Sequence, residues 1–132
     1  WVKRKEAPEL FAPVLLSFVD CVNVYIGHLD LTDSALYHIS LNRVQWAVIE
    51  HLYIHSPPWS LNTDGISILA SSFITARKNW ISSGDDNVSI KDNCTDILLE
   101  DNVFAEGHGA AIGDLGLNKT NAFVMNVTVR DS

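Results

Sequence analysis

Asn62-Thr63-Asp64-Gly65-Ile66, Ser83-Gly84-Asp85-Asp86 and Gly107-His108-Gly109 are three polar turns, and each runs into a short alternating apolar stretch. The stretches are Ile66 and Ile68, Val88 and Ile90, and Ala110 and Ile112. Their spacing is constant, since 88 − 66 = 22 and 110 − 88 = 22. Asp64, Asp86 and His108 each stand two residues ahead of their stretch, so they share one phase of a 22-residue repeat. A coil of parallel strands would stack these side chains at about 4.8 Å per step and gather them into one site.

The repeat extends outward from this centre. Val24, Ile26, Leu29 and Leu31 follow offsets 0, 2, 5 and 7. The same offsets recur at Ala47, Ile49, Leu52 and Ile54, at Ile74, Ala76, Asn79 and Ile81, and at Ile97, Leu99, Asn102 and Phe104. A fifth copy opens at Val127 and Val129, and a second ladder runs between the copies at Ile39, Ile66, Val88 and Ala110. Two period-2 pairs with a bend between them read as strand, corner, strand. Helical stretches of about 10 to 12 residues are missing between the strands, which disfavours an alternating α/β fold. The Leu frame is too sparse for leucine-rich repeats. The expected fold is therefore all-β, a parallel β-helix of about five incomplete coils. Residues 1–132 are expected to form a single domain, and its uncapped ends read as those of a piece of a longer catalytic domain.

The totals exclude several classes. Sixteen acids against nine bases give a net charge of −7, without the basic stripe of a nucleic-acid binder. The longest apolar run, Phe11 to Val19, is broken by Pro13 and Ser17 and falls short of the roughly 20 residues a membrane span needs. Neither nucleic acid nor membrane is an expected partner. Sequons at Asn87, Asn93, Asn118 and Asn126 read either as a secreted glycoprotein or as the ordinary abundance of Asn and Thr on turns. Cys21 and Cys94 share a phase three coils apart, about 14 Å at the strand spacing. A disulfide needs Cα atoms within about 7 Å, so two free, buried thiols are expected.

Singly, each polar turn has an ordinary explanation. Asp-Gly is a common turn dipeptide, and a histidine between glycines is often just a loop residue. The shared phase adds up to more, because it brings three aspartates and a histidine onto adjacent coils. Strict alternation would aim Asp64, Asp86 and His108 into the core, where an ionised carboxylate is very costly. They are therefore expected on the corner before the strand, facing solvent in a groove, with Ser67, Ser89 and Lys91 outward beside them. Crowded carboxylates raise the pKa of one member. One protonated acid beside ionised ones is the equipment of glycosidic hydrolysis.

Asn62-Thr63-Asp64-Gly65, Gly84-Asp85-Asp86 and Gly107-His108-Gly109 with Ile112-Gly113 resemble the motifs of the polygalacturonases, glycoside hydrolase family 28. Pro13 to Ser34 also resembles the coils that precede those motifs in the family. The resemblance implies a right-handed parallel β-helix that hydrolyses α-1,4 bonds between galacturonic acid units of pectin with inversion. It implies Asp85 as general acid, Asp64 and Asp86 as the pair activating water, His108 as support for the acid, and Asn62 as a cleft-lining residue. Lys91 is read separately, as a contact for a substrate carboxylate or as an exposed structural lysine. A pectic polysaccharide is the expected partner of a secreted, extracellular monomer with no cofactor and no metal.

The sequence departs from the family pattern in three places. The family's Arg-x-Lys motif follows the Gly-His-Gly turn by about one further coil, beyond Ser132. Asn87 stands where many members have Cys, and no Cys lies near Val103. Asp114 replaces a common Ser in the Ile-Gly-Ser-Leu-Gly segment, which leaves rhamnogalacturonan and xylogalacturonan open as substrates. Two other readings compete: a calcium-dependent lyase using the aspartates as oxygen ligands, and a non-catalytic glycan-binding β-helix. Neighbouring-coil carboxylates about 5 Å apart would suit a retaining mechanism better than the inverting separation of roughly 6.5–9.5 Å.

Overall fold

A computed structural model describes residues 1, 3, 6, 7, 10–117 and 121–132. The chain winds through β1 (Leu16–Val19), β2 (Val22–Gly27) and β3 (Asp30–Thr32). The second turn is β4 (Ile39–Asn42), β5 (Gln45–Glu50) and β6 (Tyr53–His55), and the third is β7 (Ile66–Leu69), β8 (Ser72–Arg77) and β9 (Trp80–Ser82). The fourth comprises β10 (Val88–Ile90), β11 (Cys94–Glu100) and β12 (Val103–Phe104), and β13 (Ala110–Ile112) and β14 (Val124–Arg130) begin a fifth. Corresponding strands pair in parallel into three sheets: β1-β4-β7-β10-β13, β2-β5-β8-β11-β14 and β3-β6-β9-β12. The chain is thus an all-β solenoid of about four turns.

Both ladders pair in the expected register. Ile39, Ile66, Val88 and Ala110 are successive partners in the first sheet, and Val24, Ala47, Ile74, Ile97 and Val127 in the second. Inward-pointing Ile, Leu, Val and Ala fill the space between the sheets, and Ile39, Leu41, Ile49, Ile66, Ile68, Ile74 and Ile90 are wholly buried. β-Branched residues suit this interior because their stiff χ1 fits a pleated surface packed on both sides.

The corners hold the polar chemistry of the fold. Asn79 and Asn102 occupy offset 5 of the apolar frame and are buried, yet they do not pack as apolar residues. Asn79 Oδ1 accepts from Leu52 N at 3.0 Å, and Asn79 Nδ2 donates to Ile49 O at 3.0 Å. Asn102 Oδ1 accepts from Asn79 Nδ2 and from Asn79 N, and Asn102 Nδ2 donates to Ala76 O at 2.9 Å. The two amides form a ladder that satisfies the backbone where the chain turns between sheets. Asn23, Trp46, Phe73, Asp96 and Asn126 share another phase and all have positive φ, between 53° and 63°. Trp46 stacks on Phe73 at 4.1 Å, and Asn126 Nδ2 donates to Asp96 Oδ1, so contacts along this column offset the left-handed backbone.

Three expectations need correction. Leu29, at offset 5 of the first turn, is 41% exposed rather than buried. Both cysteines are free, but only Cys94 is buried; Cys21, on the first turn, is half-buried. Asn87 is buried, and its Nδ2 donates to Ile81 O and Glu106 O while its Oδ1 accepts from Gly109 N, so that sequon has no room for a glycan. Asn93 and Asn126 are exposed. The Asn118 sequon lies outside the described residues. Among the described residues, no helix is long and apolar enough to cross a membrane.

Candidate active site

The site lies at the start of β7, β10 and β13, where successive turns place corresponding corners side by side. Ile66 N donates to Asn87 O, and Gly65 N to Asp86 O, so the 22-residue register extends back from the strands to the corner residues. Close packing there selects glycine at two positions. A Cβ on Gly65 would meet Asn87 O at 2.5 Å, and one on Gly84 would meet Ser60 O at 2.0 Å. Gly84 N instead donates to Thr63 Oγ1 at 2.9 Å, which ties the Asp85 turn to the Asp64 turn.

Asp85, Asp86 and His108 meet at the surface. His108 Nδ1 lies 3.2 Å from Asp86 Oδ1 and 3.5 Å from Asp85 Oδ1. Asp85 Oδ2 accepts from Asn62 N at 3.2 Å and from Asn62 Nδ2 at 3.4 Å, and its Oδ1 accepts from Asp86 N at 3.0 Å. The Asp85 backbone is held as well, because its carbonyl accepts from His108 N and from Ser83 Oγ. One oxygen from each aspartate and one nitrogen of His108 lie within 4.8 Å of one another, a spacing that would also admit a cation.

Asp64 departs from expectation. It lines the same cleft but is only 4% exposed, rather than standing open in a groove. Burial, with the neighbouring Asp85 and Asp86 charges adding to it, pushes its pKa up to about 7, and Lys91 offsets only part of that. Asp64 therefore keeps its proton up to near neutral pH. His38 fixes the Asp64 backbone from behind. The His38 ring is fully buried, with Nδ1 3.0 Å from Asp64 O and Nε2 3.0 Å from Ser56 Oγ. A carbonyl can only accept, so a protonated Nδ1 donates to Asp64 O, while Nε2 lies between the Ser56 hydroxyl and His55 O, the latter at 3.3 Å. Burial holds the His38 pKa below its ordinary value, in keeping with a neutral ring.

The cleft has a volume of about 220 Å³ and is lined by Tyr37, Asn62, Asp64, Asp85, Asp86, Ser89, Lys91, Gly113 and Asp114. The geometry thus brings together Asn62, the three aspartates and Lys91, with His108 against Asp85 and Asp86. Ser67 and Ser89 are each only 4% exposed, so the outward face of these strands is covered rather than open. Lys91 Nζ lies 3.1 Å from Asp114 Oδ2, donates to Tyr37 OH at 3.2 Å, and sits 4.9 Å from the Tyr37 ring centroid. Burial works to lower its pKa, but the hydrogen bonds to Tyr37 and Asp114 outweigh it and hold the ammonium above its usual range.

Tyr37 was not among the candidates, although the pattern contained it. It stands two residues before Ile39, in the phase of Asp64, Asp86 and His108, one turn earlier. That turn is 27 residues long (66 − 39) rather than 22, which hid the correspondence.

The model of the glycosyl hydrolases family 28 matches residues 3–132. A probable polygalacturonase of Arabidopsis thaliana is 37% identical over 118 residues, which is 89% of this chain and 27% of that protein. A polygalacturonase of Persea americana is 32% identical over 96% of this chain and 28% of its own length. The solved polygalacturonase of Erwinia carotovora ssp. carotovora superposes with a TM-score of 0.86 at 29% identity, covering 98% of this chain and 35% of that one. The chain thus spans little more than a quarter of the curated relatives it matches. A solenoid of this register with its acids on consecutive turns, matched along nearly its whole length, belongs to the glycosyl hydrolases family 28.

Proposed function

We propose that this chain carries the catalytic centre of an extracellular enzyme that hydrolyses α-1,4 bonds between galacturonic acid units of pectin. The observation that carries this reading is the gathering of Asp64, Asp85, Asp86 and His108 at one cleft, with Asp64 holding its proton up to near neutral pH. Hydrolysis needs a carboxyl that donates to the leaving oxygen and a carboxylate that takes a proton from water. A cluster holding one proton supplies both at once.

Asp85 is the donor in this reading. It stands between Asn62 on one turn and His108 on the next, and both neighbours fix its carboxyl direction. Asp64 and Asp86 activate the water. Asn62 and Lys91 are the substrate contacts.

The Asp85 and Asp86 oxygens approach within 4.8 Å, closer than the roughly 6.5–9.5 Å of an inverting pair. Inversion is assigned here to Asp64 as the base, and proton NMR of the first-formed product tests it. A β-anomeric product from the α-linked substrate supports inversion, and an α-anomer assigns the retaining course. Reducing ends released equally by the wild type and Asp85→Asn would remove Asp85 as the acid. Activity abolished by a chelator, with products absorbing in the ultraviolet, would replace hydrolysis with a calcium-dependent lyase.

A further inference from the structure

Lys91 is the one Lys or Arg among the described residues lining the cleft, and two of its three N–H donors face Asp114 and Tyr37. The side chain is 15% exposed, with Asp114 Oδ2 at 3.1 Å and the Tyr37 hydroxyl at 3.2 Å. Asp114 approaches from the open side, with its own side chain 60% exposed. A substrate carboxylate reaching Lys91 would lie against the Asp114 carboxylate and compete with it for the ammonium. The rest of the lining gives it no other partner of opposite charge, because Asp64, Asp85 and Asp86 face the same space. His108 is turned toward Asp85 and Asp86.

Two sugar units would fare differently here. A free galacturonate brings a second negative charge against Asp114 and competes with it for Lys91. A unit whose carboxyl is masked as a methyl ester brings no charge. Its carbonyl oxygen can still accept from the Tyr37 hydroxyl or the ammonium, and its methyl group can lie against the Tyr37 ring. We propose that Asp114 is a specificity-determining residue that makes the position beside Lys91 favour a methyl-esterified galacturonate unit over a free one. This rests on the pectin reading of the cleft and names which form of pectin that position takes.

The test is equilibrium binding of trigalacturonate and of its methyl ester to the purified full chain, at one ionic strength, for the wild type, Asp114→Ser and Asp114→Asn. Asp114 is exposed, and the Asn variant keeps its shape, so neither change threatens the fold. The wild type should bind the ester more tightly than the free acid. Both variants should gain about tenfold for the free acid, the scale of one like-charge contact near a protein surface, while the ester stays within about twofold. Adding Lys91→Met to Asp114→Ser should erase the gain. A free-acid to ester ratio that is the same in all three proteins overturns the role of Asp114 but leaves the pectin reading intact. Failure of the wild type to bind either oligomer overturns both.

Discussion

Asp64 shows how a single residue can burden the fold and equip the site at once. Its pKa is about 7 in the folded chain against an ordinary 3.8, so the folded state binds this proton more tightly than the unfolded chain does. The sign follows from linkage: stability from this group is fully present below pH 3.8 and is lost as pH rises to about 7. The loss is at most about 4 kcal/mol. Asp64→Asn should therefore unfold at higher urea than the wild type at pH 8 and at a similar concentration at pH 4. His38 pushes the other way, because its lowered pKa gives stability that is lost as pH falls. The difference between variant and wild type is thus the readout, rather than either curve alone. An Asp64→Asn midpoint no higher than wild type at pH 8 would mean the carboxylate is not strained. The same proton sets the activity profile. In the full-length enzyme, kcat/KM on polygalacturonate should fall as pH rises through about 7, when Asp64 loses its proton. Asp85→Asn should cost about 10²- to 10⁴-fold in kcat, the usual worth of a positioned acid, with KM little changed. A KM effect larger than the kcat effect would make Asp85 a binding residue.

Among the elements, strands and corners were unequally legible. Strand register followed from period 2 because every inner position is apolar on several successive turns, and a slip of one residue would expose the whole column. The corners broke that rule. Asn79 and Asn102 fell into the apolar frame by spacing alone, and only the coordinates show that their amides serve the turning backbone. Asp64 stands on the corner before β7, and its depth cannot be read from its position in the repeat, since burial depends on side chains of other turns. The amide ladder can be tested directly. Asn79→Ala leaves Leu52 N and Ile49 O unpaired in a buried corner and should cost about 2–4 kcal/mol in urea denaturation. Asn79→Leu fills the volume that Leu52 fills one turn earlier and should still be destabilising, because shape does not replace the two hydrogen bonds. A leucine variant as stable as the wild type would restore the apolar reading of offset 5.

Over the whole molecule, burial falls away at the last turn. Ile112 is 53% exposed, whereas its register partners Ile90, Ile68 and Leu41 are fully buried. Val129 is 48% exposed above Leu99, Ala76 and Ile49, all buried. Side chains that are core on the inner turns thus lie open beside the unpaired edges of β13 and β14. In a solenoid each turn is stabilised by its neighbours, and an apolar open edge invites another chain to pair with it. The 132-residue chain on its own is therefore expected to associate. Sedimentation velocity over a range of concentrations should show species heavier than one chain, shifting upward with concentration. Ile112→Lys with Val129→Lys places two charges on that edge and should return the chain to a monomer with the same circular dichroism spectrum. The double variant separates edge pairing from general stickiness, because the exposed Trp46 and Phe73 column is left untouched. Association that persists in the double variant would move the contact away from the last turn, and a wild type that stays monomeric at every concentration would show that the open edge does not pair.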